Sequence, residues 1–200
     1  MANVNAPFGL KPVNKNSSGV FNAGVNKYYI PSTYGTALFV GDPVLKTGTA
    51  NTTAYKGSAA GTMPEINKAA AGTSNKVTGV IVGFDELQTD QSKNYNPAST
   101  ERVAYVVDDP YARFWIQDDA SATLAAVDVS ANFNLVITTA GSTTTGQSGT
   151  MLDASSTATT ATLQLNILRL ADIPGNALGA NAIWEVKLNG HTETGNTAGI

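Results

Sequence analysis

Phe133, Leu135 and Ile137 alternate with Asn134, Val136 and Thr138, and the same two-residue rhythm runs through most apolar clusters of this chain. Alternation at that period places successive side chains on opposite faces of an extended strand, so it admits sheets and disfavours helices. Val103, Tyr105 and Val107 share one face, and Phe114 and Ile116 oppose Arg113, Trp115 and Gln117. Leu163, Leu165 and Ile167 alternate with Gln164, Asn166 and Leu168, and Ile183, Glu185, Lys187 and Asn189 alternate with Trp184, Val186 and Leu188. Shorter β-forming clusters lie at 27–30, 37–40, 44–46 and 76–84, with Gly41-Asp42-Pro43 reading as a turn. Gly79 and Gly83 mark bulges or close backbone contacts. The best helical windows, 64–71 and 120–127, hold at most two turns and no broad apolar stripe. The expected fold is all-β: a single β-barrel or β-sandwich domain with an extended N-terminal arm and long Gly/Ser/Thr-rich loops.

Composition sharpens the organisation. Gly, Ala, Ser, Thr and Asn together make 103 of 200 residues, and charged residues are only 14%, against about 25% in ordinary globular chains. Solubility therefore rests on hydroxyls and amides, leaving much surface free to meet other protein. Small residues dominate 47–62 and 139–161, which read as long loops. The chain divides into an arm at 1–25, a β body at 26–189 and a polar tail at 190–200. Pro7 and Pro12 bias the arm toward extended backbone. Phe8 and Leu10 need a dock, either on the body of this chain or on a neighbour. Burying both is worth about 3–6 kcal/mol, while ordering ten residues costs on the order of 10 kcal/mol. That balance predicts an arm that is mobile in the isolated protein and ordered where a neighbour supplies a pocket and a strand edge.

Several chemistries find little support. Twelve Lys and Arg against fifteen Asp and Glu give a net charge of −3 with no basic run, so a nucleic-acid partner lacks its electrostatic footprint. There is no cysteine for a disulfide, a thiolate nucleophile or a Cys-based metal site. No uncharged apolar stretch is long enough for a membrane-spanning helix. The first ten residues lack the basic and apolar regions of a signal peptide. His191 is the single histidine and lies in the polar tail without a Gly-x-Ser-x-Gly elbow anywhere; it reads as an exposed tail residue rather than a catalytic base. Asp108-Asp109 and Asp118-Asp119 suggest cation binding or acid–base work, but neighbours on a strand face opposite ways and both pairs fall where strands end. They read as turn caps, as do Asp85, Glu86 and Asp90. The loop Gly141 to Gly146 is followed by Gln147 where a phosphate-binding loop needs lysine. Tyr28, Tyr29, Tyr34, Phe39, Tyr55, Tyr95, Tyr105, Tyr111, Phe114 and Trp115 are candidates for a sugar groove, though core or oligomer contact is the commoner use. The expected protein is no enzyme and holds no cofactor and no metal.

Four stretches carry a resemblance. Asn5-Ala6-Pro7-Phe8-Gly9-Leu10-Lys11-Pro12-Val13 is one, and Tyr28-Tyr29-Ile30-Pro31 with Ala37 to Val44 is a second. Gly79 to Phe84 with Asn96 to Val103 is a third, and Thr160 to Leu165 with Arg169-Leu170 a fourth. In these the chain resembles virion structural proteins of tailed bacteriophages, of the capsid decoration (cement, head-stabilising) kind. The resemblance implies a small β-barrel or sandwich oligomer, trimer favoured over dimer, on the outer surface of the capsid. It implies the major capsid protein as partner, clamped between neighbouring subunits, with no direct nucleic acid and no membrane. Pro7, Phe8, Gly9, Leu10 and Pro12 are then the expected capsid or subunit contacts. An adhesive or glycan-binding virion module is the alternative.

Overall fold

The computed structural model describes residues 3–15, 19–20, 22 and 24–199. Along them run β1 (Lys11–Lys15), β2 (Gly19–Val20), β3 (Asn26–Ile30), β4 (Pro43–Ala50), β5 (Pro64–Lys68), β6 (Gly79–Phe84) and β7 (Arg102–Val107). There follow β8 (Ala112–Gln117), β9 (Asn132–Phe133), β10 (Leu135–Val136), β11 (Met151–Leu152), β12 (Leu165–Leu170) and β13 (Ile183–Leu188). Single 3-10 turns sit at Ala126–Asp128 and Ala154–Ser156. The structure is 36% strand and 3% helical, so the all-β expectation holds.

The middle of the chain closes a five-stranded barrel in the order β3-β5-β4-β6-β7. β3 pairs antiparallel with β7 from Asn26↔Val106 to Ile30↔Arg102, and meets β5 in parallel at Tyr29↔Glu65. A barrel this small has room only for its own side chains; Tyr28, Ile30, Val44, Ile66, Ile81 and Val106 fill it. The ends of the chain build a six-stranded sheet, β2-β1-β8-β13-β12-β9. The alternation read from sequence sets its faces: Phe114, Ile116, Trp184, Val186, Leu165 and Ile167 all point one way and are fully buried. Their core also takes Val80 and Val107 from barrel strands and Leu10 from the N-terminus. The barrel interior and the sheet core are thus two apolar clusters, joined through barrel strands that face both, with the barrel inserted between β1 and β8.

Three expectations need correction. Residues 11–15 of the expected arm form β1, which pairs with β8 from Lys11↔Trp115 to Lys15↔Ala112. Leu10 is 1% exposed. The chain itself supplies the strand edge and the pocket, a combination that the burial-against-entropy balance assigned to a neighbour. The long loop expected at 47–62 begins inside β4, whose Thr47-Gly48-Thr49 stretch has no large apolar residue to mark it as a strand. The helical window at 64–71 is β5, which inserts only Ile66 into the barrel.

Two glycines set how closely the N-terminal segment approaches the barrel. Gly9 (φ +75°) and Gly41 (φ +93°) both occupy the left-handed region, and a Cβ on either would fall 2.5 Å from the other segment's carbonyl oxygen. Gly41→Ala is expected to cost on the order of 3 kcal/mol, from φ strain and displacement of the segment. Gly48, at φ +91° with nothing within 4 Å of its Cβ position, is the control. Gly48→Ala should cost only about 1 kcal/mol from strain. Urea midpoints for the two variants separate the terms; equal losses would mean the close approach is not limiting.

Candidate functional site

The turn Gly41-Asp42-Pro43 feeds β4 and carries a fully buried carboxylate. Asp42 Oδ2 accepts from the Phe39 amide at 2.8 Å, and Oδ1 accepts from Ser148 Oγ at 2.6 Å and lies 2.8 Å from Lys68 Nζ. A buried charge is tolerated only when paired and hydrogen-bonded, and here both conditions are met. The same turn donates Gly41 N to Ile81 O at 2.8 Å and accepts from Leu10 N at 2.9 Å. It therefore fixes where the N-terminal segment crosses the barrel.

Beyond that crossing the segment is held by side-chain bonds to the sheet end. Ala6 N donates to Gln117 Oε1 at 2.9 Å, and Gln117 Nε2 donates to Val4 O at 2.8 Å. Asn3 Nδ2 donates to the carbonyls of Ala177 and Ala180 at 2.8 and 3.0 Å, and its Oδ1 accepts from Ala177 N at 3.1 Å. The expected contact residues consequently divide. Gly9 and Leu10 are buried inside this chain, while Pro7, Phe8 and Pro12 remain partly exposed. Phe8 stands between two grooves: one of about 320 Å³ shared with Leu10, Pro12, Val40, Ile81 and Val82, and one of about 380 Å³ shared with Val4, Ile173, Pro174 and Ile183. The result is an apolar strip with a fixed backbone and accessible hollows on both sides.

The acidic pairs are braces. Asp118 is fully buried and accepts from Trp184 Nε1, Asn181 N, Ala182 N and Ala120 N at 2.8–3.1 Å. Asp119 Oδ1 accepts from Ser121 and Ala154 amides, and Asp109 Oδ1 from the Tyr111 amide, in the turn-capping manner expected. Asp108 accepts from Tyr28 Oη at 2.7 Å and from Asn26 Nδ2. Asp85 is paired with Lys56 and capped by the Val103 amide, while Asp90 caps its own loop at Ser92. Among the described residues no group of three or more His, Asp or Glu converges as a metal site would require. Among the described residues the aromatic rings meet in separate pairs: Phe39 stacks on Tyr95 at 5.1 Å and Tyr29 meets Tyr55 edge-on at 5.8 Å, while Phe114 lies in the core.

Sequence reasoning missed the Asp42–Lys68–Ser148 cluster, because only the Gly-Asp-Pro turn is visible locally and Ser148 pairs from 106 residues away. It also misplaced His191, which is fully buried rather than exposed. The start of the tail docks against the strand approach at Val77: Val77 N donates to Gly190 O and Thr192 N donates back to Val77 O. Compared with family models, curated proteins and solved structures, the chain matches none.

His191 Nδ1 accepts from the Glu193 amide at 3.1 Å, so the ring's single proton sits on Nε2. Burial holds the imidazole below its ordinary pKa, outweighing the opposing pull of Glu193 and Asp108. A group depressed in the fold takes up its proton more readily in the unfolded chain, so stability falls as pH drops through the ordinary imidazole range near 6.5. Denaturant titrations between pH 7.5 and 5 should show that decline as a falling midpoint. A flat profile is expected for His191→Gln; a variant that keeps the wild-type slope would place the proton uptake on another group.

Proposed function

We propose that this chain is a non-enzymatic capsid decoration protein, bound to the outer surface of a tailed-phage head and clamping neighbouring major capsid subunits as an oligomer. The observation that carries the reading is the partly exposed Phe8, held on a fixed backbone between two largely apolar hollows. It lies within Asn5 to Val13, one of the four stretches that resemble decoration proteins. Partly buried aromatic anchors ringed by apolar surface are what protein contacts use as energetic centres. A pre-positioned segment also avoids the ordering cost that a loose arm meets on binding. Many copies on a lattice then hold one another by effective concentration, so each single contact can be modest.

The test separates anchor from core. Phe8→Ala is expected to leave the melting temperature nearly unchanged while reducing co-sedimentation with undecorated shells. Leu10→Ala, by contrast, should cost about 2–5 kcal/mol of stability as a core cavity. Full shell binding by a folded Phe8→Ala protein would remove Phe8 from the contact, and failure of the wild type to bind shells would remove the decoration reading altogether.

A further inference from the structure

The solvent-side face of the six-stranded sheet collects charge that no stretch of sequence displays. Directly opposed residues on paired strands share a face, and the register gives two rows across the sheet. One row reads Lys11, Trp115, Glu185, Arg169, and the next carries Arg113, Lys187 and Asn166. Glu185 is almost fully buried beneath two guanidiniums: Arg113 reaches its Oε1 at 3.1 Å, and Arg169 reaches its Oε2 at 2.8 Å. Four of the chain's twelve cations thus share this face with one of its fifteen carboxylates, and two of them pair with it. Eight cations and fourteen carboxylates are left for the rest of the molecule. The N-terminal segment covers the adjoining row, Gln117 and Ile183, while in these two rows Lys11 and Arg169 are exposed and Arg113, Trp115 and Lys187 partly so. Trp115 and Arg169 at the centre are the residue types on which protein contacts concentrate their energy.

The chain also carries the complement. Residues 114–168 contain four aspartates and no lysine or arginine. Of these, Asp118 is internal, whereas Asp119, Asp128 and Asp153 gather at the edge formed by the two 3-10 turns. Ser121 Oγ lies 2.6 Å from Asp119 and 3.5 Å from Asp153, and Thr157 Oγ1 lies 3.4 Å from Asp128. At that edge Val127 is 86% exposed, the most exposed of the large apolar side chains among the described residues. An exposed apolar knob on an acidic edge is matched to a tryptophan on a basic face.

We infer that a second copy of this chain docks its Val127 edge on the Trp115 face of the first. The two surfaces differ, so the contact is heterologous and propagates head to tail, closing into a ring where the rotation permits. A contact that rests on exposed charges around one apolar side chain on each side is weak and dependent on ionic strength. The inference stands independently of shell binding, since its readout needs only the isolated protein.

Sedimentation velocity over a concentration series should show association at low salt and monomer at about 0.5 M salt, where the Debye length is only a few ångströms. Lys187→Glu spoils the basic face alone, and Val127→Lys spoils the acidic edge alone; each variant is expected to bind itself at least about tenfold more weakly. Mixed in equal amounts, the two retain one intact edge and one intact face between them, so they should form a dimer that grows no further. A wild type that is monomeric at low salt overturns the inference. So does a variant that associates as before, or a mixture that stays monomeric while both variants keep the native circular dichroism spectrum.

Discussion

A carboxylate withdrawn from water must be met by donors, and those that meet Asp42 come from separate parts of the chain. Phe39 gives its amide from the preceding loop, Lys68 its ammonium from the end of β5, and Ser148 its hydroxyl from the far half of the sequence. Losing any one leaves a charge partly uncompensated in the interior, a far larger penalty than the net worth of an ordinary hydrogen bond. The turn that carries the carboxylate is therefore immobile, and so is whatever leans on it. Ile81 of β6 and Leu10 of the N-terminal segment both bond to Gly41, one residue away. Placement of Phe8 at the surface follows from that chain of constraints rather than from any contact Phe8 makes itself.

How much of this was legible depended on the range of the interaction. Strands β8, β12 and β13 announce themselves by alternation, because each turns one apolar face to the core and the period survives in a single chain segment. β4 and β5 do not: Thr47-Gly48-Thr49 and the single buried Ile66 give no period to read. Pro7 and Phe8 were visible as an unusual extended segment, but whether that segment met its own body or a neighbour turned on β8, whose edge lies about a hundred residues downstream. His191 illustrates the same limit, since polar neighbours in sequence suggested exposure while Val77 and Gly190 close over it in space.

Charge followed the same logic at the scale of the surface. The linear sequence has no basic run, and this remains true of the fold's individual strands. Pairing four strands side by side converts isolated cations at Lys11, Arg113, Arg169 and Lys187 into neighbours. A net charge of −3 conceals a molecule whose opposite charges are sorted to different places. In a chain with so few charges, each one left on the surface carries more of the burden of choosing and orienting a partner.

The insertion of the barrel between β1 and β8 has a kinetic meaning. β1 precedes the barrel and pairs locally only with the two-residue β2; its longer partner β8 is complete only at residue 117, and closing so long a loop is entropically costly and slow. A formed barrel shortens that loop, because β3 and β7 lie side by side and bring residues 26 and 107 to the same end. Only then do the flanking segments find each other at the cost of a short connection. β1 in this way joins the main sheet after the barrel has formed, and until then β8 presents an open edge on which another chain's β1 could settle in its stead.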